Sequence, residues 1–226
     1  MMNLLAIDTS TAMASLAVQV NGKIVSKTVM GSQQHAMLIL PLIAELLNNV
    51  AINVSQLDGI VFGKGPGNFT GLRVACSIAK GIAYGQSLPL YPVSSIGTVA
   101  YATLLDPQYT LGQDILVMLD ARMHQVYWGY FNYPLDSHAL HMHEFLNNIT
   151  DIKLSGETQC CVAGVGWDAY ISQLPDAIIA KITQCLLIYP RAEIMLDMVN
   201  AGYIASVTAN DALPAYIRNQ VTHQVG

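Results

Sequence analysis

Gly-Lys-Gly-Pro-Gly-Asn-Phe-Thr-Gly-Leu-Arg runs from Gly63 to Arg73, between a short apolar run ending at Phe62 and an apolar, Ala-rich periodic stretch. Glycine is needed where backbone turns at positive φ or lies against another surface, and free N–H groups at a helix start suit an anion. The segment therefore reads as a strand, a stiffened loop and a helix start. Two uses follow for the loop. It can touch phosphate, or it can let chain segments pack closely while Thr70 caps the helix.

Two common phosphate templates do not fit. A P-loop places Gly-Lys-Ser/Thr at its helical end, whereas Lys64 precedes the turn and Gly71 follows Thr70. A dinucleotide fingerprint needs a third glycine at fixed spacing and an acidic residue farther on. No Asp or Glu occurs between Asn68 and Leu105.

The surrounding pattern is mixed α/β. Leu4–Ile7, Ala14–Val20 and Ile24–Val29 read as strands, the last two joined by the two-residue turn Asn21-Gly22. A helix is expected near 36–49, a strand over 60–62, a helix over 70–86, a strand over 90–93 and a helix over 95–105. After Asp106-Pro107 the pattern partly repeats, with strands at 115–119, 126–133, 161–165 and 186–188, and a helix at 192–203. Gly164 and Gly166 suggest a strand-to-helix joint. This predicts two related lobes, residues 1–105 and a smaller 106–226, with the C-terminal segment free to pack back on the first.

Composition limits the class. The 226 residues are 53% hydrophobic and 11% charged, yet the longest apolar stretch, Ala36 to Leu47, contains Pro41 and Glu45 and is too short to span a bilayer. Asp8 interrupts any signal-peptide pattern, and Cys76, Cys160, Cys161 and Cys185 sit in apolar runs without a Cys-x-x-Cys pair. A cytoplasmic protein with buried thiols is expected. The formal net charge of −5, with no basic cluster, disfavours direct binding of a phosphate backbone.

Gly65 to Arg73 resembles the Gly-Pro-Gly-Ser-Phe-Thr-Gly-Leu-Arg signature of the TsaB (YeaZ) family, with Asn68 in place of serine. Leu4–Ser10, Leu119–Met123 with Val126–Trp128, and Pro214–Arg218 resemble other stretches of that family, in the same order. The resemblance implies an actin-like ATPase (sugar kinase and chaperone-like) fold with a reduced second lobe. It implies a noncatalytic scaffold that activates TsaD in threonylcarbamoyl transfer to the adenosine beside the tRNA anticodon. Partners would be TsaD and TsaE homologues, with a homodimer in their absence, and tRNA would be met only through the complex. No cofactor would be tightly held, though ATP or ADP could bind at the boundary with TsaD.

Candidate positions follow. In the actin-like fold Asp8 and Asp120 occupy places that face phosphates, so Asp8, Thr9, Gly65, Gly67, Thr70 and Asp120 are the nucleotide candidates, and a small actin-fold ATPase or kinase is the alternative function. Side-chain hydrogen bonds closing a turn are the plainer reading of Asp8-Thr9-Ser10. Arg122 can serve a phosphate, a partner carboxylate or its neighbour Asp120. Ile39, Leu42, Ile43 and Leu46 make the first helix apolar over more than one face, which calls for a second apolar partner inside the fold or across a subunit boundary. The resemblance favours the boundary, adding Arg73, Ala75, Ala79 and Ile82 from the next helix. No metal site is expected: His35 has Ile39 where a second helical histidine would stand, and His138, His141 and His143 with Glu144 lie in a polar, loop-like tract.

Overall fold

The computed structural model describes residues 1–31, 35–135, 140, 144–154, 158–215 and 217, with 35 and 36 by backbone alone. Strands β1 (Leu4–Asp8), β2 (Met13–Val20) and β3 (Lys23–Met30) form an antiparallel meander. Asn21 and Gly22 both take positive φ, 50° and 79°, the conformation a two-residue hairpin of matching twist demands. Helix α1 (His35–Asn49) then crosses to β4 (Gly59–Gly65), and α2 (Phe69–Gln86) crosses to β5 (Leu90–Ser94). β1, β4 and β5 are parallel, so the first sheet is ordered β3-β2-β1-β4-β5.

The second sheet repeats that order. β6 (Asp114–Asp120), β7 (Gln125–Phe131) and β8 (Phe145–Asn148) form the meander, and β9 (Cys160–Val165) and β10 (Ile182–Leu187) add on in parallel to give β8-β7-β6-β9-β10. Two lobes with one topology make this the expected actin-like α/β architecture. The reduction of the second lobe lies in its crossovers. Where the first lobe has helices of 15 and 18 residues, the second has short single turns and α4 (Asp176–Ile179) of 4 residues. The expected strand-to-helix joint at Gly164 and Gly166 thus leads into turns. β8 was not legible because only four residues, two of them asparagine, form it.

The remaining helices join the lobes. α3 (Ser95–Leu105) packs on β4 and β5 and also on β6, β7 and β9, while α5 (Ala192–Asn200) returns to cover β1, β2, β3 and β4. Burial of α3 on nearly every side explains why its sequence is apolar all round, and its Thr98 and Thr103 hydroxyls donate to carbonyls one turn back. Across the joint, Gln19 Nε2 donates to Asn200 Oδ1 at 3.2 Å, Asn200 Nδ2 donates back to Gln19 Oε1 at 2.7 Å, and Ala192 N–H donates to Ser15 Oγ at 2.9 Å.

A separate core lies between α1, α2 and the outer face of the first sheet. Ile39, Leu42, Ile43, Leu46, Ala75 and Ala79 are buried in it. These residues were expected at a subunit boundary; they find their apolar partner inside the chain, and Ile82 sits half-buried at the rim of the same core. The sheet behind α1 covers one side of the helix and α2 another, which is why its apolar surface is so broad. Among the cysteines, Cys76, Cys160 and Cys161 are buried, but Cys185 is exposed because it alternates with core-facing Leu186 on an edge strand. Among the described residues, no helix is long and apolar enough to cross a membrane.

Candidate functional site

The cleft between the lobes lies at the carboxyl ends of β1, β4, β6 and β9, where parallel α/β sheets ordinarily present ligands. It encloses a cavity of about 490 Å³. From the first lobe come Ser10, Thr11, Gly67, Asn68 and Thr70, and from the second Asp120, Arg122, Tyr127, Gly166 and Tyr189. Of the nucleotide candidates, Gly67, Thr70 and Asp120 share this space. Asp8, Thr9 and Gly65 lie outside it.

The glycine loop is stitched to the end of β1. Asn68 N–H donates to Ser10 O at 2.7 Å, and Thr9 Oγ1 donates to Gly71 O at 2.6 Å. A Cβ at residue 67 would stand 2.2 Å from Ser10 O, and one at residue 71 would stand 1.8 Å from Thr9 O. Such approaches exclude any side chain. The helix cap is Asn68, whose side-chain oxygen accepts from Gly71 N–H at 3.0 Å; Thr70, the expected cap, lies exposed one residue inside the helix. The asparagine that departs from the family signature thus performs the capping that serine would.

Asp8 is fully buried behind this seam. Its Oδ1 accepts from Ser10 N–H at 3.0 Å and Ser10 Oγ at 2.8 Å, while Oδ2 has no hydrogen-bond partner and rests against Gly63. Burial pushes its carboxyl up to about 6, with the two Ser10 hydrogen bonds pulling the other way. The turn-closing use of Asp8, Thr9 and Ser10 is realised in these bonds.

The opposite wall is the β6–β7 hairpin. Arg122, Met123 and His124 take φ of 64°, 56° and 58°, three successive non-glycine residues in the left-handed region. This conformation costs energy at each residue. It is held by Ala121 N–H to Gln125 O and Gln125 N–H to Arg122 O, both 3.0 Å. Asp120 accepts from Arg122 N–H at 2.7 Å, and its other oxygen lies 3.4 Å from the Arg122 guanidinium. Arg122 therefore pairs with its neighbour at the cleft mouth, and its side chain is 80% exposed.

A second link between the lobes lies nearby. Ser94 Oγ donates to Glu144 and accepts from Gly97 N–H, capping α3 and reaching the second lobe with one hydroxyl. Burial raises the Glu144 carboxyl, while Ser94 and the charge of Lys64 lower it. Sequence reading gave Ser94, Tyr127 and Tyr189 no role. Tyr189 carries a weak signal, since it follows a parallel strand; the others depend on contacts between lobes. His138, His141 and His143 lie outside the described residues, as does the side chain of His35 at the first position of α1. No group of metal-binding side chains occurs among the described residues.

On the outer surface, Arg73 is exposed and lies 3.9 Å over the Phe69 ring. Met37 and Tyr84 are each 80% exposed and Leu40 is 57% exposed, on the faces of α1 and α2 that point away from the core.

Comparison with known proteins agrees with this architecture. Residues 25–153 match the family described as TsaD: tRNA N6-adenosine threonylcarbamoyltransferase. The chain is 31% identical to the tRNA threonylcarbamoyladenosine biosynthesis protein TsaB of Haemophilus influenzae, with 98% of this chain and 95% of the relative covered. It is 30% identical to TsaB of Escherichia coli, with 97% and 96% covered. The solved structure of YeaZ from Pseudomonas aeruginosa is similar at a TM-score of 0.83 and 28% identity, over 96% of this chain and 100% of that one. With its loop signature, its twice-used sheet topology and relatives alike over nearly their whole length, the chain belongs to the TsaB (YeaZ) family.

Proposed function

We propose that this chain is a noncatalytic subunit in tRNA threonylcarbamoyladenosine biosynthesis, acting in the cytoplasm as a scaffold that stabilises and positions a TsaD homologue. The TsaD homologue would perform the transfer and a TsaE homologue would supply ATP hydrolysis. The observation that carries the noncatalytic reading is the inward use of the phosphate-site residues. Asp8 is sealed under Ser10 and Gly63, and the glycine loop spends N–H groups of Asn68 and Gly71 on its own chain. Neither is arranged as an open phosphate cradle. Names of the relatives carry the pathway.

The docking face is the outer side of α1 and α2. Met37, Leu40 and Tyr84 present apolar surface there, and the small residues Ser77 and Gly81 are exposed along α2. Without TsaD, two copies would cover this face by pairing, and ATP or ADP would bind at the boundary with TsaD. tRNA would be engaged through the complex, in keeping with the acidic balance of this chain.

Leu40→Asp and Tyr84→Asp test the face without entering the core. Each should weaken association with the TsaD homologue about tenfold or more, and lower tRNA modification in the reconstituted system with it, while melting is unchanged. Full association in both variants would remove this face from the proposal. The alternative, a small actin-fold ATPase, draws on the interlobe cavity with Asp120 and Arg122 at its wall. Tight ATP binding with turnover by the isolated chain would favour it.

A further inference from the structure

An open groove of about 1100 Å³ lies between the carboxyl-terminal end of α2 and residues 206–211. The buried or half-buried Ala83, Leu88 and Val207 line it together with the exposed Tyr84 and Asp211. Its far wall is fixed from several sides. Val207 pairs with Leu90 through two hydrogen bonds of 2.8 and 3.0 Å, and the Asp211 and Ala212 N–H groups both donate to Thr208 O at 3.1 Å. Ala212, 1% exposed, is anchored in the core of the first lobe. Ala215 N–H then donates to Lys64 O at 2.7 Å, which carries the chain away from the groove to the interlobe cavity. The groove is therefore preformed, and a ligand pays little to order it.

Three features of the groove favour a cation. α2 has no basic residue in its last turn, so nothing in the helix offsets the negative end of its dipole. Ser87 and Leu88 N–H both donate to Ala83 O, which leaves the carbonyls of Tyr84, Gly85 and Gln86 without a partner in the helix. Across the groove, Asp211 accepts from Thr208 Oγ1 at 2.6 Å with one oxygen, and among the described residues no cation pairs with its carboxylate. Tyr84, 80% exposed, adds an open ring face. Lys80, one turn before Tyr84, donates instead to Ala212 O at 3.1 Å. From this arrangement we infer that the groove seats a basic segment of a partner protein. The aliphatic stem of an arginine or lysine lies on Ala83, Leu88 and Val207, and its charged head meets Asp211, Tyr84 and the end of α2. The chain's net charge of −5 adds attraction at longer range. Because Tyr84 also belongs to the outer face of α1 and α2, the groove continues that face. Assigning the segment to the TsaD homologue rests on the scaffold reading, whereas the groove's preference for a cation does not.

The probe is a fluorescently labelled hexa-arginine peptide titrated with the full chain. Asp211→Asn keeps an acceptor for the Thr208 hydroxyl, and Asp168→Lys changes the net charge as Asp211→Lys does, at an exposed acid outside the groove. The parent should bind the peptide. Asp211→Lys should weaken binding about tenfold or more and Asp211→Asn about threefold or more, while Asp168→Lys should change it less than about twofold. The inference is overturned if the parent does not bind the peptide, or if the Asp211 variants, folded by circular dichroism, bind it as tightly as the parent. It is equally overturned if Asp168→Lys loses as much as Asp211→Lys, which would make net charge the cause. Altered self-association of Asp211→Asn with unaltered peptide binding would assign the groove to a second copy of the chain and overturn it too. The same proteins are then tested against the TsaD homologue, whose association Asp211→Lys should weaken about tenfold. Full association in that variant would overturn the assignment to this partner. A parent chain that takes the peptide but ignores the TsaD homologue would sink the scaffold reading and leave the groove standing.

Discussion

Thr9 and Gly71 are locked together: the Thr9 hydroxyl donates to Gly71 O at 2.6 Å, and a methyl group on residue 71 would lie 1.8 Å from Thr9 O. This seam joins the end of β1 to the first turn of α2. Gly71→Ala must therefore push the two backbones apart, at a cost of about 2–3 kcal/mol by the magnitudes of overpacking. Gly81, exposed in the same helix, has open space where its Cβ would be. Gly81→Ala should stabilise by about 0.5–1 kcal/mol through helix propensity. Urea unfolding of the two variants checks the pair, and equal effects would refute the seam.

Asp8 supplies a pH dependence. Its carboxyl is raised from 3.8 to about 6, chiefly by burial, so between those values the folded chain holds a proton that the unfolded chain has released. Stability accordingly falls as pH rises through that window and is level above it, by an amount on the order of 3 kcal/mol. Asp8→Asn removes the titration and should lose the fall. Unfolding free energies of parent and variant, compared from pH 4 to pH 7, should diverge in the variant's favour as pH rises; parallel curves would mean that Asp8 stays ionised.

Ser94 serves as helix cap and lobe clasp. Ser94→Ala leaves Gly97 N–H without its cap and takes the hydroxyl donor from Glu144, with a combined cost of about 2–3 kcal/mol. Glu144→Gln keeps an acceptor for the Ser94 hydroxyl and should cost about 1 kcal/mol or less. A thermal melt in which the glutamine variant fell as far as the alanine variant would count against the clasp.

The Gln19–Asn200 pair tests how α5 seats on the first sheet. Gln19 is 1% exposed and its Nε2 also donates to Met2 O, so Asn200→Leu leaves the buried Gln19 Oε1 without its donor and should cost about 1–3 kcal/mol. Replacing both by leucine removes the stranded group and should recover part of that loss. A double-mutant cycle with no coupling energy would show that the amides do not act on one another.

Local patterns were legible where one short stretch carried its own reason. Asn21-Gly22 announced its hairpin because both residues tolerate positive φ, and Ser95–Leu105 announced a helix in the right place. The choice between Asn68 and Thr70 as helix cap depends on where β1 meets the loop, which no local pattern fixes. The exposure of Cys185 is hidden in its apolar run, which does not say which of its residues alternate outward on an edge strand. Ile43 and Ala79 illustrate the deeper difficulty. A broad apolar helix face demands cover, and nothing in its residues tells whether that cover is the same chain or another.

The linear chain was enough to establish a twice-repeated α/β plan and a glycine loop too crowded with small residues to be ordinary connection, since strand alternation, turn chemistry and helix starts are decided within a few neighbours. Contacts between distant segments were needed for everything about use. Asp8 is turned away from the cleft by Ser10 and Gly63, α1 is covered by the sheet behind it, and Ala215 reaches Lys64 across a separation that no local pattern encodes. Such pairings are set by the packing of whole elements, because a buried group takes its chemistry from whatever the fold brings against it.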